Sequence, residues 1–140
     1  MEVSSLEIGE IGENVELSGS FRYAETHEWA KREEDGSIRV GISDFAQDQL
    51  GDLVFVELPD LDIQIERGEA FSEVESTKSV SEIYAPISGR VVARNEALLE
   101  TPELINSDPY GDGWIVAISP EEDENIDHLL SSAEYEATLE

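Results

Sequence analysis

Short apolar runs, each cut off by glycine, proline or a cluster of acids, recur along this chain and never lengthen into a long helical stripe. That spacing predicts many short strands with small helices at their edges. Phe21 to Ala30 reads as extended chain. Lys31 to Ser37 is a charged turn whose Asp35-Gly36 pair suits a hairpin. Ile38 to Ile42 follows as a strand. Ser43 is placed to cap a short helix over Phe45 to Leu50, with Asp44 in its first turn and Gly51 at its end. Leu53 to Leu58 is almost wholly apolar, which predicts a buried strand ended by Pro59.

After a turn-rich stretch from Asp60 to Arg67, two strands are expected over Phe71 to Ser76 and Val80 to Ala85. Thr77-Lys78-Ser79 then lies at or near the tip of the hairpin joining them, and Pro86 ends the second strand because it has no amide hydrogen for the ladder. Ser88-Gly89 turns into a third strand over Arg90 to Arg94. Asn95 to Leu99 reads as a helical turn, Thr101-Pro102 as the start of a short helix over Glu103 to Asn106, and Trp114 to Ile118 as a last strand. Ser119 to Glu122 matches a capping box with proline at the first helical position, predicting a helix towards Leu130; Ser131 to Glu134 offers a second, heading a terminal helix through Leu139. Residues 1–20 are polar, acidic and glycine-dotted, and read as a loosely attached extension to one domain over 21–140.

Composition narrows the function. Asp and Glu number 34 against 8 Lys and Arg, for a formal net charge of −26. Such a surface repels phosphate backbones and anionic lipid, so nucleic acid and membrane surfaces are excluded as partners. The acids are interleaved with Val, Ile, Leu and aromatics at strand spacing, which favours a folded domain over disorder. Abundant carboxylate with almost no lysine points to adaptation to a high-salt cytoplasm, as in a halophilic archaeon. There is no cysteine, so thiol or redox chemistry must be imported on a prosthetic group. No apolar run reaches the roughly 20 residues needed to cross a bilayer. The acidic N-terminus lacks the basic region of a signal peptide, so a cytoplasmic monomer is expected. His27 and His128 lie far apart, no metal-ligand spacing is present, and no nucleophile elbow, phosphate loop or dinucleotide fingerprint occurs. Nothing here reads as an active site.

Candidate chemistry therefore falls on lysine. The chain has two, Lys31 and Lys78, and the second is flanked by small hydroxyl residues at a turn. The surrounding letters resemble the glycine cleavage system H protein family, carriers of covalently bound lipoic acid. The resemblance runs from Thr26 to Ala30 (THEWA) through Val40 to Pro59 (VGISDFAQDQLGDLVFVELP) and Gly68 to Ser79 (GEAFSEVESTKS). It continues over Ser81 to Leu98 (SEIYAPISGRVVARNEAL) and Pro102 to Ile118 (PELINSDPYGDGWIVAI). It departs at Thr77 and Ser79, where small apolar residues are common. A biotin carrier is disfavoured, because biotinyl lysines sit in Met-Lys-Met and the only methionine here is Met1.

What the resemblance implies is specific. The fold is a mainly β, flattened barrel-sandwich like that of lipoyl and biotinyl carriers, with short peripheral and C-terminal helices. Lys78 looks like the N6-lipoyllysine. The chain is then a non-catalytic shuttle that takes an aminomethyl group from a pyridoxal-phosphate glycine decarboxylase (P protein). It passes the group to a tetrahydrofolate-dependent aminomethyltransferase (T protein) and is reoxidised by dihydrolipoamide dehydrogenase (L protein). A lipoate ligase or lipoyl/octanoyl transferase attaches the arm. By position, Thr26, Glu28, Ile42, Gln49, Leu50 and Glu82 look like the cleft that shelters the loaded arm, Gln49 replacing an imidazole and Glu82 a shorter acid. The alternative is a relay that donates lipoyl groups to other acceptors.

Overall fold

The computed structural model describes residues 21–122 and 124–139; the extension over 1–20 lies outside them. Nine strands form two antiparallel sheets that do not close into a barrel. β1 (Phe21–Tyr23), β2 (Glu28–Arg32), β3 (Ile38–Ile42), β9 (Val116–Pro120), β8 (Gly89–Arg94) and β5 (Gln64–Ile65) lie side by side in that order in the larger sheet. The smaller consists of β4 (Leu53–Glu57), β6 (Ala70–Ser76) and β7 (Val80–Tyr84). Four short helical pieces border them: α1 (Asp44–Leu50), a 3₁₀ turn over Glu96–Leu99, α2 (Leu104–Ser107) and α3 (Ser132–Thr138). The many short strands are those the apolar runs predict, and their mainly β two-sheet arrangement is the fold the resemblance implies.

The inward faces of the sheets share one apolar core. Val40, Val91 and Ile118 of the larger meet Val56, Val74 and Ile83 of the smaller. A second, aromatic cluster joins Tyr23, Trp29 and Tyr135 at the side where α3 docks. Trp29 is fully buried, and its indole donates to the Pro109 carbonyl at 2.9 Å. Gly41, directly opposite on β3, makes this possible, since a side chain there would meet the indole at 2.7 Å.

Four expectations need correction. Phe21 to Ala30 is not continuously extended, because residues 24–27 turn between β1 and β2 and His27 sits at φ +83°. The strand at Leu53 is not buried on both faces: Leu53 and Val56 point into the core, while Val54 and Phe55 are about half exposed. β4 is an edge strand, and a bulge between Leu53 and Phe55 turns part of its apolar run to solvent. No helix starts at Ser119, because Ser119 and Pro120 remain paired with Arg90 and Gly89 in the ladder. The described residues between 121 and 130 are turns, ending where Leu130 bridges to Tyr23. Tertiary pairing overrides the local capping signal there. Finally, α2 begins one residue later than expected and has no side-chain cap from Thr101. The second capping box forms as expected: Ser131 accepts the Glu134 amide and Glu134 reaches back to the Ser131 amide.

Candidate functional site: a lysine tip and the cleft behind it

β6 and β7 put Thr77, Lys78 and Ser79 at the tip of their hairpin, and all three are exposed. One buried hydroxyl shapes this tip. Ser76, only 7% exposed, accepts from the Lys78 amide at 3.1 Å and the Ser79 amide at 3.0 Å, while its own amide donates to the Ser79 carbonyl. A serine can thus replace the Asn-Gly turn that the sequence lacks.

The tip does not stand free of the body. The Thr77 amide donates to the Asp52 carbonyl at 3.1 Å, tying it to the turn that follows α1. The alkyl stem of Lys78 lies over Gly51, where a methyl group would come within 3.3 Å of its Cε. Gly51 has φ +85°, so glycine serves twice here, by conformation and by clearance. Asn106 of α2 holds this turn from behind: its amide donates to the Gly51 carbonyl at 3.0 Å and the Gln47 side chain at 2.9 Å, and its oxygen accepts from the Leu53 amide.

Beside the lysine stem, a cleft of about 210 Å³ opens between the turn at residues 24–27, α1 and β7. All six residues expected from the sequence line it, namely Thr26, Glu28, Ile42, Gln49, Leu50 and Glu82, together with His27, Phe45, Ala46, Ser81 and Ile83. Lys78 itself is not in the lining, although its stem rests on the residue after Leu50. A larger cavity of about 730 Å³ lies over Lys31, Arg39 and Trp114 and contains none of the expected residues.

The cleft combines an apolar wall with negative polarity. Ile42, Phe45, Ala46, Leu50 and Ile83 supply hydrocarbon, and no lysine or arginine takes part. Glu28 is 2% exposed and accepts from the Thr26 hydroxyl and, at 3.0 Å, from the Tyr84 amide. Burial pushes its carboxyl above the ordinary value, and these hydrogen bonds pull back against that. The Tyr84 hydroxyl donates to Glu82 at 3.1 Å, so one residue orients both acids. His27 Nδ1 lies 2.6 Å from the Tyr135 hydroxyl, which in turn meets Ser43 Oγ at 2.7 Å. Burial lowers the His27 pKa, favouring the neutral ring. Chemically, the cleft suits an extended alkyl chain that ends in a cation.

Similarity to known proteins identifies the family. The family model described as "Glycine cleavage H-protein" matches residues 21–140. The chain belongs to the glycine cleavage H-protein family. A family member from Shewanella loihica is 52% identical over 120 residues, covering 86% of this chain and 93% of its own. One from Listeria innocua is 52% identical over 126 residues, covering 90% and 100%. The crystal structure of a Mycobacterium marinum glycine cleavage system H protein superposes with a TM-score of 0.79 at 40% identity, covering 88% of this chain and 98% of that one. Membership makes this H protein the non-catalytic lipoyl carrier of the glycine cleavage system.

Sequence reasoning missed several residues that shape the H-protein site. Ser76 was legible only as a small neighbour of the lysine, although a serine three residues before another marks such turns. Asn106 lies 55 residues from Gly51 and carries no local signal. His27, dismissed from the sequence as a metal ligand, hydrogen-bonds Tyr135 and also lines the cleft.

Proposed function

We propose that Lys78 is the lipoylated residue and that the cleft beside it shelters the loaded arm. The observation that carries this reading is the lysine's place: an exposed tip amine whose stem lies over Gly51, the residue next to Leu50 of a cation-free cleft. The residues present fit the group. When bound, lipoic acid supplies the dithiolane that the cysteine-free chain lacks, and with it the carbon-carrying and redox chemistry.

The chain's own residues bind and exclude. Ser76 and the Asp52 carbonyl fix the direction in which Lys78 leaves the tip. Ile42, Leu50 and Phe45 cover an alkyl chain and keep water from its end, while Glu28 and Glu82 favour a terminal ammonium. Gln49 lines the rim as a neutral polar group. The body moves between partners: the glycine decarboxylase, the tetrahydrofolate-dependent aminomethyltransferase and dihydrolipoamide dehydrogenase, after a ligase or transferase has acylated Lys78. Tethering the arm raises its local concentration at each. The cytoplasm is the compartment this reading assigns, with the chain working as a monomer.

Intact-mass measurement tests the assignment. Wild type and Lys78→Arg are expressed in a host that lipoylates its own acceptors. Wild type is expected to gain one lipoyl group and the variant none. Unmodified, folded wild type would overturn the reading; a modified wild type then takes glycine-dependent loading as the next assay.

A further inference from the structure

Of the outer face of the three-stranded sheet, only Glu82 also lines the cleft. Strand register builds the face from two rows. Phe55, Glu75 and Val80 stand opposite one another in the row next to the tip, and Glu57, Glu73 and Glu82 in the row behind. Phe55 is 51% and Val80 56% exposed, one on each side of Glu75 in the row next to the tip. Like charges placed directly across strands cost stability. None of the ion pairs within the described residues reaches these glutamates. Neither folding nor the cleft accounts for the row of Phe55, Glu75 and Val80.

We infer that this face is the docking surface for the enzyme that acylates Lys78, which meets Phe55 and Val80 with apolar contacts and the glutamates between and behind them with arginine or lysine. The inference rests on Lys78 being the acylated residue. Reach selects this occupant over the other partners. Before acylation the reactive nitrogen extends only one side chain beyond the tip, and the tip is held against the body through Asp52 and Gly51. The acylating enzyme must therefore press against the tip's surroundings, whereas later partners are met by a longer arm. Glu75 is three residues before Lys78 and Val80 two after it, so the Phe55–Glu75–Val80 row is the surface an approaching enzyme covers first. Phe55 on β4 and Val80 on β7 flank Glu75 on the central strand, so the row offers two apolar anchors on either side of a carboxylate. Salt screens the glutamates but leaves apolar burial intact, so Phe55 and Val80 anchor the contact when salt is concentrated.

The test uses the full chain and a lipoate–protein ligase supplied with lipoate and ATP. Initial rates of acylation are measured against chain concentration for wild type, Phe55→Thr, Val80→Thr and Val92→Thr. Val92 is 39% exposed on β8 of the other sheet and serves as the control. Phe55→Thr is expected to raise KM about tenfold with kcat retained, because docking binds ground and transition states alike. Val80→Thr should shift KM the same way, and Val92→Thr should leave it unchanged. Lys78→Arg, which cannot be acylated, should inhibit acylation of wild type competitively, and adding Phe55→Thr should remove that inhibition while the melting temperature stays near that of Lys78→Arg. A Phe55→Thr KM equal to that of wild type, or inhibition that survives the substitution, would overturn the inference. A wild type that the ligase leaves unmodified would instead remove the reading of Lys78 beneath it.

Discussion

At the scale of single residues, Glu28 combines a structural cost with a functional use. It is a carboxylate removed from water, held by one hydroxyl and one amide, at the side of a cleft that contains no positive charge. Its folded pKa lies above the ordinary value, so the folded chain keeps a proton that the unfolded chain releases as pH rises. Stability is therefore lost across the window from the unfolded value up to the raised folded one, and the cost persists above it. Glu28→Gln retains an oxygen for the Tyr84 amide and presents an amide to Thr26, without the buried charge. Relative to wild type it is expected to gain stability as pH rises through that window and to hold the gain above it. Urea denaturation of both proteins between pH 4 and 8 checks this. The same substitution should shorten the lifetime of the glycine-loaded protein, because the terminal ammonium loses its carboxylate. A variant less stable than wild type at pH 7 would show that the hydrogen bonds of Glu28 outweigh its desolvation.

Among the elements, α3 contributes more than closure of the aromatic cluster. Tyr135 is buried and stacked on Tyr23 at 4.4 Å, and its hydroxyl meets both His27 and Ser43. Those two partners belong to different walls of the cleft. His27 lies in the turn before β2, and Ser43 caps α1 by accepting the Ala46 amide at 3.1 Å. One phenol oxygen thus ties the turn to the helix. Ser43→Ala removes a helix cap and one phenol contact together, and a loss of about 2 kcal/mol is expected. Tyr135→Phe keeps the stacking but not the link and should cost about 1 kcal/mol. Chemical denaturation gives both values, and equal losses in the two variants would mean that the cap itself contributes nothing.

For the whole molecule, charge is the dominant fact. A net charge of −26 on 140 residues sets the compact state against itself, and the aligned Glu57, Glu73 and Glu82 repeat the problem on one sheet face. Concentrated salt shrinks the Debye length to about 3 Å at 1 M and removes most of that repulsion. The melting temperature is accordingly expected to rise steeply with KCl. Glu73→Gln, at the centre of the row, should raise it in dilute salt and have little effect at 2 M or more. Differential scanning calorimetry across salt concentrations tests both, and a flat melting curve would sink the adaptation to salt.

The sequence by itself determined the strand-rich architecture, the lysine at a hairpin tip and the six residues of the cleft, because each rests on local spacing or on a family pattern written in contiguous letters. Tertiary structure alone decided the rest. Ser119 to Glu122 carries a good helix start, yet pairing with β8 keeps Ser119 and Pro120 extended, since ladder hydrogen bonds outweigh a local cap. Leu53 to Leu58 reads as buried on both faces, but an edge position and a bulge turn Phe55 outward. Asn106 beneath the tip and Tyr135 behind the cleft come from distant parts of the chain, and no short-range pattern encodes contacts that only folding brings together.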